Sequence, residues 1–212
     1  MSCSQCQGIE ELFSPAYVEK ELQVYRSRGP DRTTRMLTAA LRTIPVEGLT
    51  LLDIGGGLGA IPHDLLAAGV REVTSVEASS AYLTAARAEM QRRGYAGQVR
   101  FYHGDFVDIA GQIPPADIVT LDRVICCYPD MESLVSLSAE RTRKLYGLVY
   151  PRDTWWTRAG FGLENIWFRQ RGSSYRAFVH PTKAVEDLLA RHGLNLIQKR
   201  QTLVWQVAVF AR

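Results

Sequence analysis

Residues 53–59 read Asp-Ile-Gly-Gly-Gly-Leu-Gly, and glycines at this spacing suit one kind of chemistry. A backbone without Cβ atoms lets a ligand approach closely and turns amide N–H groups toward it at the start of a helix. Glu77 follows about 20 residues past the turn, where a carboxylate can accept both hydroxyls of a ribose. Asp105, in His103-Gly104-Asp105, and Asp122, closing Ala116-Asp-Ile-Val-Thr-Leu-Asp122, are two further acids at the ends of apolar runs. The bland reading is a glycine turn with a solvated Glu77. It leaves unexplained why strand, turn, helix and acids all fall in register.

These residues also satisfy a dinucleotide fingerprint, because Gly55, Gly57 and Ala60 form GxGxxA with an acid beyond. An NAD(P)-dependent oxidoreductase is therefore one alternative. Asp105 after a third strand, and a closing antiparallel hairpin, speak against it.

The elements that must position these groups alternate in type. Residues 15–26 and 32–43 have helical periodicity, with Asp31 as an expected N-cap for the second. Leu49 to Ile54 is a continuous apolar run, as expected of a strand buried on both faces. A helix over 60–68 follows the glycine turn. Strands are then predicted at 72–77, 99–103, 118–122 and 145–150. Helices are expected from Ser79 to about Arg93, and from Asp130 to the basic residues Arg141 to Lys144, which would suit a helix C-terminus. Pro181 opens a further helix that Gly193 closes. Strands over 194–202 and 203–211 adjoin so closely that they must be antiparallel. The expected fold class is α/β: a doubly wound, mostly parallel, seven-stranded Rossmann-like sheet with a carboxyl-terminal antiparallel strand. Ligands of such sheets lie beyond the carboxyl ends of the strands, where strand order reverses.

The successive motifs at Asp53–Gly59, Glu77, Gly104-Asp105 and Ala116–Asp122 resemble those of class I S-adenosylmethionine-dependent methyltransferases over roughly residues 30 to 212. That resemblance implies S-adenosyl-L-methionine as cofactor. Gly55, Gly57 and Gly59 would cradle its methionine part and Asp53 would orient the amino group. Glu77 would hold the ribose, and Asp105 with the amide of Phe106 the adenine. Gly29-Pro30, Thr33-Thr34-Arg35 and Asp122-Arg123 are similar, more weakly, to magnesium-protoporphyrin methyltransferases. Asp122 to Asp130 departs from the porphyrin enzymes' usual sequence after the fourth strand.

By the same resemblance the loop 122–130 should face the transferred methyl. Transfer from a sulfonium is a direct displacement, so alignment supplies most of the catalysis, and a base matters only if the acceptor loses a proton. Asp122, Tyr128 and His180 are the catalytic candidates. Asp122 can instead be a cofactor contact, and His180, just before Pro181, a cap or turn residue. His103 is expected to pack at a strand end.

The net charge is +3, and its placement says more than its size. Arginines 152, 158, 169, 171 and 176 face only Asp153 and Glu164 in that segment, whereas the rest of the chain carries 20 basic and 20 acidic residues. Trp155, Trp156, Phe161, Trp167, Phe168 and Tyr175 alternate with these arginines. The segment 152–176 is expected to be an acceptor-side insertion, with aromatic walls and arginines gripping an anionic group. A structural helix with a solvated basic face is the competing reading. The remaining chain is neutral enough that nucleic acid is not the expected partner.

The expectation is thus a single domain over 1–212, with residues 1–44 as an amino-terminal helical cap. It would methylate oxygen or nitrogen of a small aromatic or anionic molecule. An RNA- or protein-modifying methyltransferase and a cofactor-sensing domain stay open. Composition is that of an ordinary globular chain, and neither a membrane span nor a secretory leader is expected, as Glu10 and Glu11 sit near the start. A cytoplasmic location is expected. Cys3-x-x-Cys6 has metal-ligand spacing, yet no second such pair follows, and no metal is expected. Cys126 and Cys127 are expected to be small apolar lining.

Overall fold

The computed structural model describes residues 4–212. Cys3 and the side chain of Cys6 lie outside the described residues. Three helices come first: α1 (Ser4–Leu12), α2 (Pro15–Arg28) and α3 (Arg32–Leu41). The alternation then begins with β1 (Thr50–Ile54), α4 (Ala60–Ala67), β2 (Glu72–Glu77) and α5 (Ser80–Arg92). Next come β3 (Val99–His103), α6 (Phe106–Ile109), β4 (Ala116–Asp122) and α7 (Met131–Glu140). The chain closes with β5 (Thr142–Pro151), α8 (Trp155–Gln170), α9 (Thr182–Arg191), β6 (Asn195–Gln201) and β7 (Trp205–Ala211).

The strands form one seven-stranded sheet in the order β3-β2-β1-β4-β5-β7-β6. Pairings from β3 through β5 are parallel, and β7 runs antiparallel between β5 and β6. The sheet is the α/β arrangement that the alternation predicts. Strand order reverses between β1 and β4, which opens a crevice above their carboxyl ends. Every residue of β1 is buried, because helices cover both faces of the sheet there. On one face Leu37 and Leu41 of α3, Leu65 of α4 and Met90 of α5 form a core with Leu51 and Ile118. On the other, Leu134 and Val135 of α7 and Val185 and Leu189 of α9 pack on Leu52, Val119 and Tyr146. Each such aliphatic side chain contributes about 1.5–3 kcal/mol by leaving water.

Two local expectations are corrected. Asp31 stands at the N-cap position of α3 without bonding its amides, because its carboxylate is taken by Arg123 at 2.6 Å. Helix α7 ends at Glu140, and Arg143 and Lys144 belong to β5 instead of its last turn. The strand wins because Thr142 pairs with Ala116, and Lys144 then reaches Asp117 on β4, 3.3 Å away.

The first helices are anchored by a buried acid. Glu89 of α5 is fully buried and meets Arg26 of α2 as well as Arg92 and Arg93 on its own helix. These arginines hold its carboxyl well down, at about 2. Helix α2 is therefore fixed to the α/β body, and its other side is free to wall the crevice.

Candidate cofactor and acceptor site

The glycine turn joins β1 to α4, with Gly55, Gly57 and Gly59 all at positive φ. At Gly55 a Cβ would also stand 2.5 Å from Cγ2 of Val124, so both conformation and space demand glycine. The adjacent Gly56 covers Asp53: a Cβ there would come within 2.4 Å of its Oδ2.

Asp53 is almost fully buried at the end of β1. Thr120 of β4 donates to its Oδ1 at 2.6 Å, while Oδ2 is buried without a partner. Burial pushes this carboxyl up to about 8. An orphaned buried carboxylate oxygen under a glycine turn is a receptor for a cation, since leaving it unpaired is expensive. S-adenosylmethionine brings an ammonium group, so this position fits it.

Glu77, at the end of β2, is buried as well, which raises its pKa. It accepts from the Gly57 amide at Oε2 and from the Ser79 amide at Oε1, both at 2.9 Å. The carboxylate thereby ties the glycine turn to the start of α5, and each oxygen keeps a lone pair for a further donor. Asp105 ends the third strand's loop and caps α6. Its Oδ1 accepts from Val107 N at 3.0 Å, and Tyr128 donates its hydroxyl to Oδ2 at 2.9 Å. Phe106 is buried beside it.

Asp122, at the end of β4, accepts from the hydroxyl of Thr34 on α3 and, at 3.2 Å, from Nε of Arg123. Burial raises its carboxyl above the usual range. Arg123 adopts the left-handed region, φ 60°, so that one guanidinium reaches both Asp122 and Asp31. Charges on both sides compensate this strain.

One cavity of about 760 Å³ joins these groups. It is lined by Asp53, the glycine turn, Glu77, Asp105, Phe106, Asp122 and Tyr128. Of the three catalytic candidates, Asp122 and Tyr128 stand in the wall, and His180 stands outside it. His180 Nε2 lies 2.8 Å from the carbonyl of Ile125 and 3.0 Å from that of Tyr128. With two acceptors in front of it, that nitrogen carries the proton, and burial keeps the ring neutral by lowering its pKa. His180 therefore pins the loop after β4 from outside the cavity wall. Tyr128 turns its hydroxyl toward Asp105. His103 does sit at a strand end, with Nε2 3.1 Å from the Ala78 carbonyl.

Cys126 and Cys127 line the cavity with their Sγ atoms 3.9 Å apart, and Cys127 lies 3.0 Å from the Tyr175 hydroxyl. Contact with Cys127, then burial, pushes the Cys126 thiol up, which suits a lining role better than a nucleophilic one. Among the described residues no group of three or more His, Cys, Asp or Glu side chains converges as a metal site.

Sequence reasoning misses the front wall. Ile9 and Leu12 of α1, Phe13 in the turn after it, and Tyr17 and Glu21 of α2 close the cavity, and Tyr82 of α5 donates to Glu21. The i, i+4 pair Tyr17 and Glu21, bonded at 3.2 Å, was the available signal.

The segment 152–176 contributes Phe161, Glu164, Phe168 and Tyr175 to the wall. Its arginines do not face the cavity, so the expected grip on an anionic group is corrected. Arg158 pairs with Asp153 at 2.6 Å, Arg171 stacks on Trp167, and Arg176 donates to the carbonyls of Ser173 and Tyr175. Helical spacing is the reason: Phe161 and Phe168 take the inner face of α8, which leaves Arg158 and Arg169 on its flank.

Residues 51–145 match the family model described as a methyltransferase domain. That stretch of the chain is a methyltransferase domain. No curated protein matches the chain by sequence. Among solved structures it is similar to magnesium protoporphyrin IX methyltransferase from Synechocystis PCC 6803 with bound S-adenosylhomocysteine. That likeness has 20% identity and a TM-score of 0.69, over 92% of this chain and 87% of that one. A second is a sarcosine dimethylglycine methyltransferase, so described as putative, from Galdieria sulphuraria, with 12% identity and TM-score 0.67 over 85% of each chain. A third is a putative RNA methyltransferase from Pyrococcus horikoshii, at 14% identity and TM-score 0.62 over 87% and 84%. At these identities the likenesses speak to the shared fold. The described residues hold no helix long and apolar enough to cross a membrane.

Proposed function

We propose that the methyltransferase acts on oxygen or nitrogen of a small aromatic molecule held in the same cavity as its cofactor. The observation that carries this reading is the continuous cavity, whose far end is lined by aromatic rings. Phe161 of α8 and Trp205 at the start of β7 stand edge to face, 6.2 Å apart, and Phe13 and Tyr17 close the front. A chamber walled by aromatic rings suits a flat small molecule. The acid in this part of the insertion's wall is Glu164, which favours an acceptor that donates N–H or O–H groups.

In this reading Asp53 Oδ2 takes the cofactor's ammonium, and the amides of Gly55, Gly57 and Gly59 line its amino-acid part. Glu77 accepts from the ribose hydroxyls, and Asp105 with the Phe106 amide recognises adenine. The bound cofactor supplies an electrophilic methyl group on a sulfonium. The chain's part is then to align the acceptor and exclude water. Asp122 keeps the floor between the two ligands, held by Thr34 and Arg123, as a cofactor-side positioning group. The methyltransferase is read as one domain over 1–212, with residues 1–44 as its cap and 152–176 as the acceptor-side insertion.

Two measurements test this. S-adenosylhomocysteine should raise the melting temperature and NAD should not. Labelled methyl from S-adenosylmethionine should enter a panel of small phenols and aromatic amines. Label found in tRNA or protein fractions alone would overturn the small-molecule reading.

A further inference from the structure

We propose that the outer face of α8, together with Leu203, docks the methyltransferase on an anionic lipid surface. The inner face of α8 is used by the cavity, through Phe161 and Phe168. The opposite face is apolar and open to solvent: Trp155 is 76% exposed, Leu163 69%, Ile166 55% and Trp167 47%. At 100° per residue, Trp155, Trp156, Ala159, Leu163, Ile166 and Trp167 fall within one stripe about a third of the circumference wide. Leu203, 72% exposed in the turn between β6 and β7, extends that stripe, since Trp156 Nε1 donates to its carbonyl at 3.3 Å.

Charge decides the occupant. Arg158 and Arg169 lie on one flank of the stripe and Arg171 on the other, stacked at 3.9 Å on Trp167. The segment holds five of the chain's basic residues and two acids, while the remainder balances. Tryptophan and leucine on one face with arginine along its edges is the pattern of a helix lying in a headgroup layer. A second copy of the same face would bring like-charged flanks together. Indole rings sit well at the boundary between hydrocarbon and headgroups, and arginine pairs with phosphate. Such docking leaves the cavity behind α8 near the lipid, within reach of an apolar acceptor.

Full-length protein should co-sediment with vesicles of phosphatidylglycerol mixed into phosphatidylcholine, and at least about tenfold less with phosphatidylcholine alone. High salt should reduce the bound fraction, because exposed arginines are screened. Tryptophan emission should shift to the blue on binding. The double variant Trp155→Ser, Leu163→Ser and the charge reversal Arg169→Glu should each abolish most of the binding. None of these residues lines the cavity, so affinity for S-adenosylhomocysteine should stay unchanged, which also reports that the variants fold. Equal sedimentation of wild type and variants, or none with either vesicle, overturns the proposal. Concentration-dependent dimers in free solution that dissociate on Trp155→Ser, Leu163→Ser would overturn it too, and would make the face a contact between copies.

Discussion

The hydroxyl of Tyr128 donates to Oδ2 of Asp105 at 2.9 Å, bridging the loop after β4 to the end of β3. Its place in the loop would let it be taken for an acceptor-aligning group. The hydrogen bond instead makes it a support for the acid proposed to read adenine. Tyr128→Phe should therefore weaken S-adenosylhomocysteine by about 1 kcal/mol, the worth of one net hydrogen bond. Turnover at saturating cofactor should stay within about twofold, because the transition state does not use the hydroxyl. Calorimetric titration and steady-state rates together check this. A collapse of turnover with unchanged cofactor affinity would return Tyr128 to the acceptor side.

Asp53 predicts a pH dependence. Its carboxyl, pushed by burial up to about 8, is neutral in the free protein at pH 7. A cofactor ammonium at the orphaned Oδ2 favours the ionised form, so binding must release a proton. Apparent affinity should rise with pH from 6 toward 8 and then level. Titration calorimetry in buffers of different ionisation enthalpy measures the released proton directly.

The same shift sets a sign for stability. A carboxyl whose folded pKa is raised contributes stability at low pH that is lost as pH rises through the folded value. Asp53→Asn removes this titration and keeps an oxygen for Thr120. It should raise the melting temperature of the free protein at pH 8, lower cofactor affinity, and abolish the proton release. Proton release that persists in Asp53→Asn would assign it to another group.

Glu89 carries the opposite sign. Its folded pKa of about 2 lies below the unfolded value, so its contribution is complete above the unfolded value and is lost as pH falls through the folded one. Its arginine partners are part-exposed, with side chains 41%, 50% and 21% accessible, so water can take them over in a variant. Glu89→Gln should then cost about 1–3 kcal/mol at pH 7. The difference from wild type should shrink below pH 3, as urea unfolding at both pH values would reveal. Because Arg26 links this acid to α2, the variant should also loosen the wall formed by Tyr17 and Glu21.

What the sequence makes legible follows physical range. Strands β2 and β3, Glu72–Glu77 and Val99–His103, have the bounds expected from the sequence. The glycine turn and the closing hairpin are equally local. Arg169 and Arg171 are not, because which side of α8 turns inward depends on Trp205, Ile9 and Leu12, far away in the chain. The partner of Tyr128 lies 23 residues back, and that of Asp31 is 92 residues on. The contacts of His180 are equally distant in the chain. Its two carbonyl partners come from a loop more than 50 residues earlier. Composition can suggest that aromatics and arginines serve one purpose, but helix geometry divides them between two faces.

Phe161 offers the sharpest test of the acceptor chamber. It lines the cavity from α8 and meets Trp205 at 6.2 Å, edge to face, beyond the ends of β5 and β7. The residues proposed to hold the cofactor all lie on the other side, from Asp105 across to Asp53. Truncation at Phe161 removes one aromatic wall without touching the glycine turn. Phe161→Ala should lower kcat/KM for a small aromatic acceptor by about 1.5–3 kcal/mol, the apolar burial that the ring supplies. Most of the loss should fall in KM, since a side wall holds substrate and transition state alike. The dissociation constant for S-adenosylhomocysteine should move by less than about twofold, as expected for independent sites. Phe161→Leu should recover part of the activity, because an aliphatic side chain restores volume but not the flat face. If Phe161→Ala weakens the cofactor as much as the acceptor, the ring is structural support for the whole cavity. If neither changes, the acceptor enters from another side, and the aromatic end of the cavity is not its seat.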